Sequence, residues 1–144
     1  MILLDTNILS SLMQANPVIE VVEWLDRQAP EDIWTTTISV FEVRFGLALL
    51  TEGRRRQAME IAFQALLEED LAGRIAVFDQ PAAEAAALLA ARRRQAGRTV
   101  DFRDTQIAGI ALARRATIAT RNVRHFQDLA GPIIDPWNDR ANDR

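Results

Sequence analysis

The sequence predicts a three-layer α/β/α fold in which a short parallel sheet of four to five strands lies between helices. Three observations favour this fold: helical and strand-like segments alternate, the strand-like segments are nearly all apolar, and no repeat or linker divides the chain. Nearly all-apolar strands are typical of parallel sheets that helices cover on both faces. With 144 residues, the chain is long enough for one domain with a well-formed core.

The N-terminal half opens on a short apolar run and continues through segments bounded by proline, glycine and polar residues. Pro17 is typical of a first helical position, and Pro30 ends the helix that follows. Ser39 is the expected N-cap of the next helix, with Glu42 in a capping-box arrangement. Gly53 separates that helix from the one that follows. The expected elements are a strand at 2–4, helices at 6–13 and 18–27, a strand at 32–37, and helices at 39–50 and 54–70.

The C-terminal half continues the same alternation. Pro81 starts an alanine-rich helix, which Gly97 ends. The expected elements are a strand at 75–78, helices at 81–95 and 102–115, a strand at 117–120 and a short strand at 132–134. We predict a single domain over residues 1–137, followed by a polar C-terminal tail at 138–144.

The composition narrows the possible chemistry. The chain contains no cysteine, lysine or tyrosine, its 17 basic residues are all arginine, and His125 is its one histidine. Cysteine-based and histidine-rich metal sites, a thiolate nucleophile, Schiff-base chemistry and a P-loop lysine are thereby excluded. The net charge of −3 disfavours a protein that coats nucleic acid through bulk basicity. No secretion signal or membrane span is visible, so a cytoplasmic location is expected.

Four polar residues stand where such a chain usually carries apolar ones. Asp5 ends the first apolar run, Glu42 interrupts ISVFEVRFGLALL, Asp104 opens DTQIAGIALA, and Asn122 ends TIATRN. Ligand sites of open parallel sheets lie beyond the carboxyl ends of the strands, where these residues could meet. Converging carboxylates form the oxygen-lined sites that Mg²⁺ or Mn²⁺ prefers, and buried carboxylates are costly unless a positive group neutralises them. The residues therefore indicate metal-dependent chemistry on a phosphate.

Each of the four residues also has a purely structural interpretation. Asp5 could cap the first helix, and Glu42 could serve only the capping box, although its neighbours Ile38, Phe45 and Leu49 form an apolar stripe. Asp104 could be an N-cap, but Asp101 is better placed for that role. Asn122 could be a turn residue.

The remaining charged residues have simpler interpretations. His125 is expected on the surface or in loop packing, and the arginine clusters, including Arg92–Arg94, as solvated helix faces. Arg121 and Arg124 flank the predicted pocket, so they are the better candidates for contact with an RNA phosphate.

Four segments together resemble a known family, the PIN-domain ribonucleases. The segments are MILLDTNILS, SVFEVRFGL, DFRDTQIAGIALA and ATRNVRHF, and the resemblance spans Met1 to about Trp137. The toxin subunits of VapBC-type toxin–antitoxin pairs, including their FitB-like branch, are the most similar group. The resemblance implies a parallel sheet between helices, and an acidic pocket that holds one or two Mg²⁺ or Mn²⁺ ions and cleaves RNA by hydrolysis.

The resemblance also assigns site residues. Asp5, Glu42 and Asp104 match the acidic positions of the family, as metal ligands and catalytic residues. Asn122 falls where many members have a fourth aspartate, and this departure puts a second metal ion in doubt. Thr6, Asn7, Thr120 and Arg121 are the expected supporting residues.

The resemblance further implies partners. They are a second copy of the chain in a homodimer, an antitoxin that occludes the site, and operator DNA that is bound only through the antitoxin.

Two function classes remain open. In the first, metal-activated water attacks the phosphodiester, because the chain lacks the usual covalent nucleophiles. In the second, a non-catalytic PIN-like module binds RNA or a protein partner, and Asn122 is the residue that favours it. A receiver domain is disfavoured by the absence of lysine, and a haloacid-dehalogenase-like phosphatase by the sequence Asp5-Thr6-Asn7, which lacks the second aspartate.

Overall fold

The computed structural model describes residues 1–139 and contains one sheet of five parallel strands. The strands are β1 (Ile2–Leu4), β2 (Ile33–Thr36), β3 (Ile75–Ala76), β4 (Thr117–Ala119) and β5 (Ile133–Ile134), in the spatial order β3-β2-β1-β4-β5. The helices are α1 (Thr6–Leu12), α2 (Ile19–Asp26), α3 (Thr37–Leu49), α4 (Arg54–Ala65), α5 (Gln80–Gln95) and α6 (Phe102–Arg114). The predicted α/β class is confirmed, and so is the predicted parallel sheet of four to five strands. The polar tail predicted at 138–144 lies outside the described residues from position 140 onward.

Helices cover both faces of the sheet, as the apolar strands predict. Successive strand side chains point to opposite faces, so Leu3 and Leu4 of the central strand enter two different cores. Leu4 packs in a core with Trp24 and Phe63, from the side of α1 to α4. Leu3 packs in a second core with Ile107, from the side of α5 and α6. Both leucines are essentially inaccessible to solvent, which confirms the three-layer arrangement.

The start of α3 differs from the prediction. Thr36, the last residue of β2, is the N-cap, and its Oγ1 accepts a hydrogen bond from Ser39 N at 3.1 Å. The predicted Ser39 cap and its capping box with Glu42 are therefore wrong. The reason is that α3 begins at Thr37, directly after β2, so Thr36 takes the cap position and Ser39 lies inside the helix. Glu42 is consequently one turn further into the helix than a capping residue.

The apolar stripe expected around Glu42 is also not the buried face of α3. Phe45 and Leu49 are 51% and 71% exposed, whereas Val43 and Leu47 enter the core. Glu42 therefore lies at the border between the buried and the exposed face of the helix, with its side chain 20% exposed.

The pair α5 and α6 forms one tightly packed layer that carries part of the predicted site. Asp79 caps α5 through Ala82 N, and Asp101 caps α6 through Asp104 N at 3.0 Å, which confirms the predicted role of Asp101. Gly109 of α6 faces Ala82 and leaves no room there for a side chain. Within the described residues, none of the helices combines the length and the apolar character that a membrane crossing requires.

Candidate metal centre

Asp5 lies at the carboxyl end of β1, beside the end of β4. Leu4 and Ala119 are in register across the two strands, and Asp5 N donates to Ala119 O at 2.9 Å, so Asp5 and Thr120 are neighbours. The Asp5 Oδ1 accepts a hydrogen bond from Thr6 N at 2.8 Å and thereby caps α1. Its Oδ2 accepts one from Thr120 Oγ1 at 2.7 Å. Asp5 is only 5% exposed, and it combines the role of a helix cap with a place at the carboxyl edge of the sheet.

A small hydrogen-bond network fixes the Asp5 carboxylate in place. Asn7 Nδ2 donates to Thr120 Oγ1 at 3.3 Å and makes a longer contact of 3.5 Å with Asp5 Oδ2. Arg121 N in turn donates to Asn7 Oδ1 at 3.1 Å. The sequence-predicted supporting residues Asn7, Thr120 and Arg121 thus surround Asp5, and the Arg121 guanidinium itself stacks on Trp137, 5.1 Å from the ring centre. The network orients one carboxylate and leaves the arginine side chain beside the pocket.

Glu42 reaches the same region from α3. Its Oε2 lies 3.8 Å from Arg103 Nη1, an ion pair whose arginine is half exposed. The Thr6 hydroxyl lies beside this carboxylate and favours its ionised form, yet it makes no hydrogen bond of normal geometry and is buried without a partner among the described residues. A buried hydroxyl without a partner is costly unless another group completes its coordination.

Asp104 enters the region from the first turn of α6. Its Oδ2 lies 2.6 Å from His125 Nδ1, and its side chain is 19% exposed. At that distance the imidazole donates a hydrogen bond to the carboxylate. His125 belongs to a single 3₁₀ turn at Val123–Phe126, which we call the His125 turn and which follows β4.

The electrostatics tie the three carboxylates together. Burial raises the pKa of Asp5, and the charge of Asp104 raises it further, against the hydrogen bonds from Thr120 and Thr6. Burial also raises the pKa of Glu42, with added repulsion from Asp5 and Asp104. For Asp104, burial and the nearby Asp101 raise the pKa, and His125 opposes them. Like charges that raise one another's proton affinity are relieved by a cation placed between them.

The carboxylates do not form a closed cage as they stand. Across residues 1–139, no group of three or more aspartate, glutamate, histidine or cysteine side chains has the geometry to hold a metal ion. Asp104 accepts a hydrogen bond from His125, and the charge of Glu42 is partly balanced by Arg103.

Asn122 is placed differently from the three acids. It precedes the His125 turn, its backbone N donates to Thr120 Oγ1 at 3.0 Å, and its side chain is exposed and makes no capping hydrogen bond. It lines a groove of about 520 Å³ together with Arg121 and Arg124. A second groove, of about 290 Å³, contains Asp104 and Arg98, and Arg124 and His125 line both grooves. The His125 turn therefore lines two grooves that contain arginines, one of which also contains Asp104.

The sequence does not predict the positions of two residues at the site, His125 and Arg93. His125, expected on the surface or in loop packing, contacts Asp104 directly. Arg93, expected on a solvated face, is only 5% exposed and lies under the His125 turn. A signal for Arg93 was present: it continues the buried spacing of Ala82, Ala86 and Leu89 along α5. For His125 the chain offered no comparable signal, because its contact depends on the packing of a loop against α6.

Comparisons with known proteins identify the family of the chain. The family model described as PIN domain matches residues 2–132. The chain belongs to the PIN-domain family. As a PIN domain it is 36% identical over 137 residues to the VapC ribonuclease Y4jK of Sinorhizobium fredii, a match that covers 95% of this chain and 98% of that protein. It is 34% identical over 139 residues to the toxin FitB of Neisseria gonorrhoeae, with 96% of this chain and all of that protein covered.

A solved structure gives the same result for the fold. The structure of FitAB bound to an IR36 DNA fragment matches this PIN domain with a TM-score of 0.87 at 32% identity, and the match covers 99% of both chains. The similarity thus extends over the sheet and both helical layers, and is not limited to the segments around the carboxylates.

Proposed function

We propose that this PIN domain is an endoribonuclease that hydrolyses RNA phosphodiester bonds with the aid of Mg²⁺ or Mn²⁺. The observation that carries the proposal is the convergence of Asp5, Glu42 and Asp104 from three separate elements. Burial raises the pKa of all three; the charge of Asp104 raises that of Asp5 further, and the charges of Asp5 and Asp104 raise that of Glu42 further. A fold that tolerates this repulsion at the carboxyl edge of its sheet provides a site for a divalent cation. The ribonuclease name of the Sinorhizobium relative supports RNA as the substrate.

The donor set fits such an ion. Asp5, Glu42 and Asp104 would hold it, since carboxylate oxygens are the ligands that Mg²⁺ and Mn²⁺ prefer. The Thr6 hydroxyl, buried and unpartnered among the described residues, is a further oxygen at the same place. When bound, a divalent ion supplies Lewis acidity toward a phosphoryl oxygen and toward the attacking water.

The side chains of this chain would contribute orientation and charge balance. Thr120 and Asn7 hold Asp5 in one orientation, so that only Glu42 and Asp104 need to adjust. Water is the natural nucleophile, because the chain has no cysteine, lysine or tyrosine to form a covalent intermediate. Arg121 and Arg124, along the grooves beside the acids, would contact RNA phosphates.

We further infer that the protein acts as the toxin of a toxin–antitoxin pair in the cytoplasm. Its relative in Neisseria gonorrhoeae is named toxin FitB, and the similar solved structure is of FitAB bound to DNA. A cognate antitoxin would occlude the carboxylates, and operator DNA would be bound only through that antitoxin. The homodimer stays a prediction, which light scattering of the purified chain would check.

The decisive experiment is RNA cleavage by the purified protein with Mn²⁺, with Mg²⁺ and with excess chelator. We expect cleavage only with metal, and a loss of more than about 100-fold in Asp5→Asn, the scale of removing one electrostatic stabiliser of a transition state. The exposed Asp26→Asn is the matched control, because it removes a carboxylate at the end of α2 that does not act on the pKa of Asp5, Glu42 or Asp104. Cleavage in chelator, or full activity of Asp5→Asn, would contradict the assignment.

The same preparation separates the two function classes. A protein that binds RNA but neither binds Mn²⁺ nor cleaves would be the non-catalytic module. The toxin role needs a second experiment, in which the chain is produced together with the product of a small open reading frame directly upstream. We expect a stable complex in which cleavage is suppressed, and cleavage that persists in a formed complex would count against the role.

A further inference from the structure

Arg93 is a buried arginine that makes contacts in three directions. Its Nε and Nη2 donate to Asp128 Oδ2 and Oδ1, both at 2.8 Å. Nη2 also donates to the His125 carbonyl at 2.9 Å, and Nη1 donates to Thr105 Oγ1 at 3.1 Å. All three guanidinium nitrogens are thus used, in a side chain that is only 5% exposed. Arg98 also pairs with Asp128, at 3.0 Å, so the acceptor is itself held in place.

These contacts reach both partners of the Asp104–His125 contact. Thr105 follows Asp104 directly, and its hydroxyl donates to the Asp101 carbonyl at 2.7 Å, which ties it to the first turn of α6. On the other side, Arg93 holds the carbonyl of His125 itself. One rigid guanidinium therefore sets the distance between the helix turn that carries Asp104 and the loop turn that carries His125.

Stability alone does not explain an arginine at this position. Arg93 continues the buried stripe of α5, where alanine and leucine occupy the other positions. Replacing a buried ion pair by well-packed apolar residues is often neutral or stabilising, because both charges lose their hydration in the folded protein. The fork of five fixed donors, in contrast, gives a geometry that no apolar residue supplies.

We propose that Arg93 is a positioning residue, which fixes the His125 turn against α6 and so sets the placement of Asp104 in the carboxylate site. The proposal rests on the proposed ribonuclease function for its effect on the reaction. Arg93 touches neither Asp5 nor Glu42 in the described contacts, and it acts only through the two elements that it joins. Its charge also lowers the pKa of Asp104, in the same direction as His125.

The test uses the single histidine of the chain as a reporter. The His125 imidazole gives one set of side-chain NMR signals, which are recorded for the full, metal-free protein, without a histidine tag and at one fixed pH. Arg93→Lys keeps the charge but loses the fork, and Asp104→Asn defines the signal of a His125 without its carboxylate. Arg56→Met is the matched control, because it removes an arginine whose ion pair with Glu60 is partly exposed on α4.

We expect Arg93→Lys to move the imidazole signals toward those of Asp104→Asn. With RNA and saturating Mn²⁺, kcat should fall about 10–100-fold, the usual effect of losing a partner that orients a ligand, while KM changes less than about threefold. Arg56→Met should match the wild type in both readouts. Unchanged signals, or an unchanged kcat per folded molecule, would each overturn the proposal.

A second variant and a second measurement cover the cases in which Arg93→Lys does not fold or the wild type does not cleave RNA. If Arg93→Lys does not unfold cooperatively, Thr105→Val replaces it under the same criteria, since it removes the anchor of Arg93 on α6, together with the Thr105 hydrogen bond to the Asp101 carbonyl. If the wild type cleaves no RNA, the ribonuclease function fails separately, and the Mn²⁺ affinity measured by titration takes the place of kcat. Arg93 is then a positioning residue only if the imidazole signals and the affinity change together.

Discussion

Replacing Gly109 by alanine tests how closely α6 must lie on α5. An added Cβ at Gly109 would stand 2.5 Å from Ala82 O and 2.6 Å from Ala86 Cβ. Both distances are far below a normal contact, and neither atom belongs to the end of a flexible side chain. The two helices would therefore have to move apart, about a turn and a half from Asp104 along α6.

Two effects of opposite sign decide the size of the change. Glycine is about 1 kcal/mol less favourable than alanine in a helix interior, which favours the variant. Overpacking a well-packed contact costs about 1–3 kcal/mol, and the upper end applies because both neighbours are fixed by the backbone of α5. The net loss in the free energy of unfolding is then about 2 kcal/mol, or about 6–8 °C in the melting midpoint of a chain of this length.

Urea and thermal unfolding of the metal-free protein measure this change, with Gly46→Ala as the control. Gly46 lies in the interior of α3, and a Cβ there meets no other atom within 4 Å. That variant should gain about 0.5–1 kcal/mol, because only the helix propensity changes. The two glycine variants are thus expected to move in opposite directions. A Gly109→Ala protein that is as stable as the wild type would refute the close approach of α5 and α6.

Three further predictions concern charge. Asp5→Asn should raise the melting midpoint in chelator while it abolishes cleavage, because burial and the charge of Asp104 disfavour the ionised Asp5. Asp128→Asn should instead cost about 3 kcal/mol in urea unfolding, since it leaves the buried Arg93 unpaired. The pH dependence follows the same signs. Because Arg93 lowers the pKa of Asp128, its stabilisation is complete above the ordinary pKa of about 3.9 and is lost as the pH falls through the lower folded value. Acid unfolding of Asp128→Asn should therefore be less steep than that of the wild type, and an equally steep curve would contradict the pairing.

The parts of the fold that the sequence predicts are those governed by local pattern. The strand at Ile2–Leu4 is apolar on both sides of the sheet, so the sequence ILL predicts both its length and its burial. The cap at Asp101 follows from its spacing to the helix that begins at Phe102. The position of Asp5 follows from topology, because a residue directly after a central parallel strand must lie at the carboxyl edge.

The choice of N-cap for α3 shows where local pattern fails. Thr36 and Ser39 are both hydroxyl residues before the same apolar run, and either could accept the first free backbone N–H groups. Which one does so depends on where β2 ends, and that is set by pairing with β1 and β3, which the local sequence does not contain. Of the three apolar neighbours of Glu42, Phe45 and Leu49 are exposed, whereas Ile38 packs against the core on the side of α5 and α6.

Arg93 and His125 show the second limit, which concerns partners that are distant in sequence. A run of three arginines in a helix is usually solvated, and one of them can be buried here because distant residues, above all Asp128, 35 residues later, pair with it. The His125 contact with Asp104 depends in turn on that buried pair. The sequence therefore predicts the three carboxylates as candidate metal ligands, because of their residue type. It does not predict the contacts that His125 and Arg103 make with two of them. For this PIN domain, variants at Arg93 are consequently more informative than further variants of the acids, since they ask whether the placement of a ligand, and not only its presence, determines the rate.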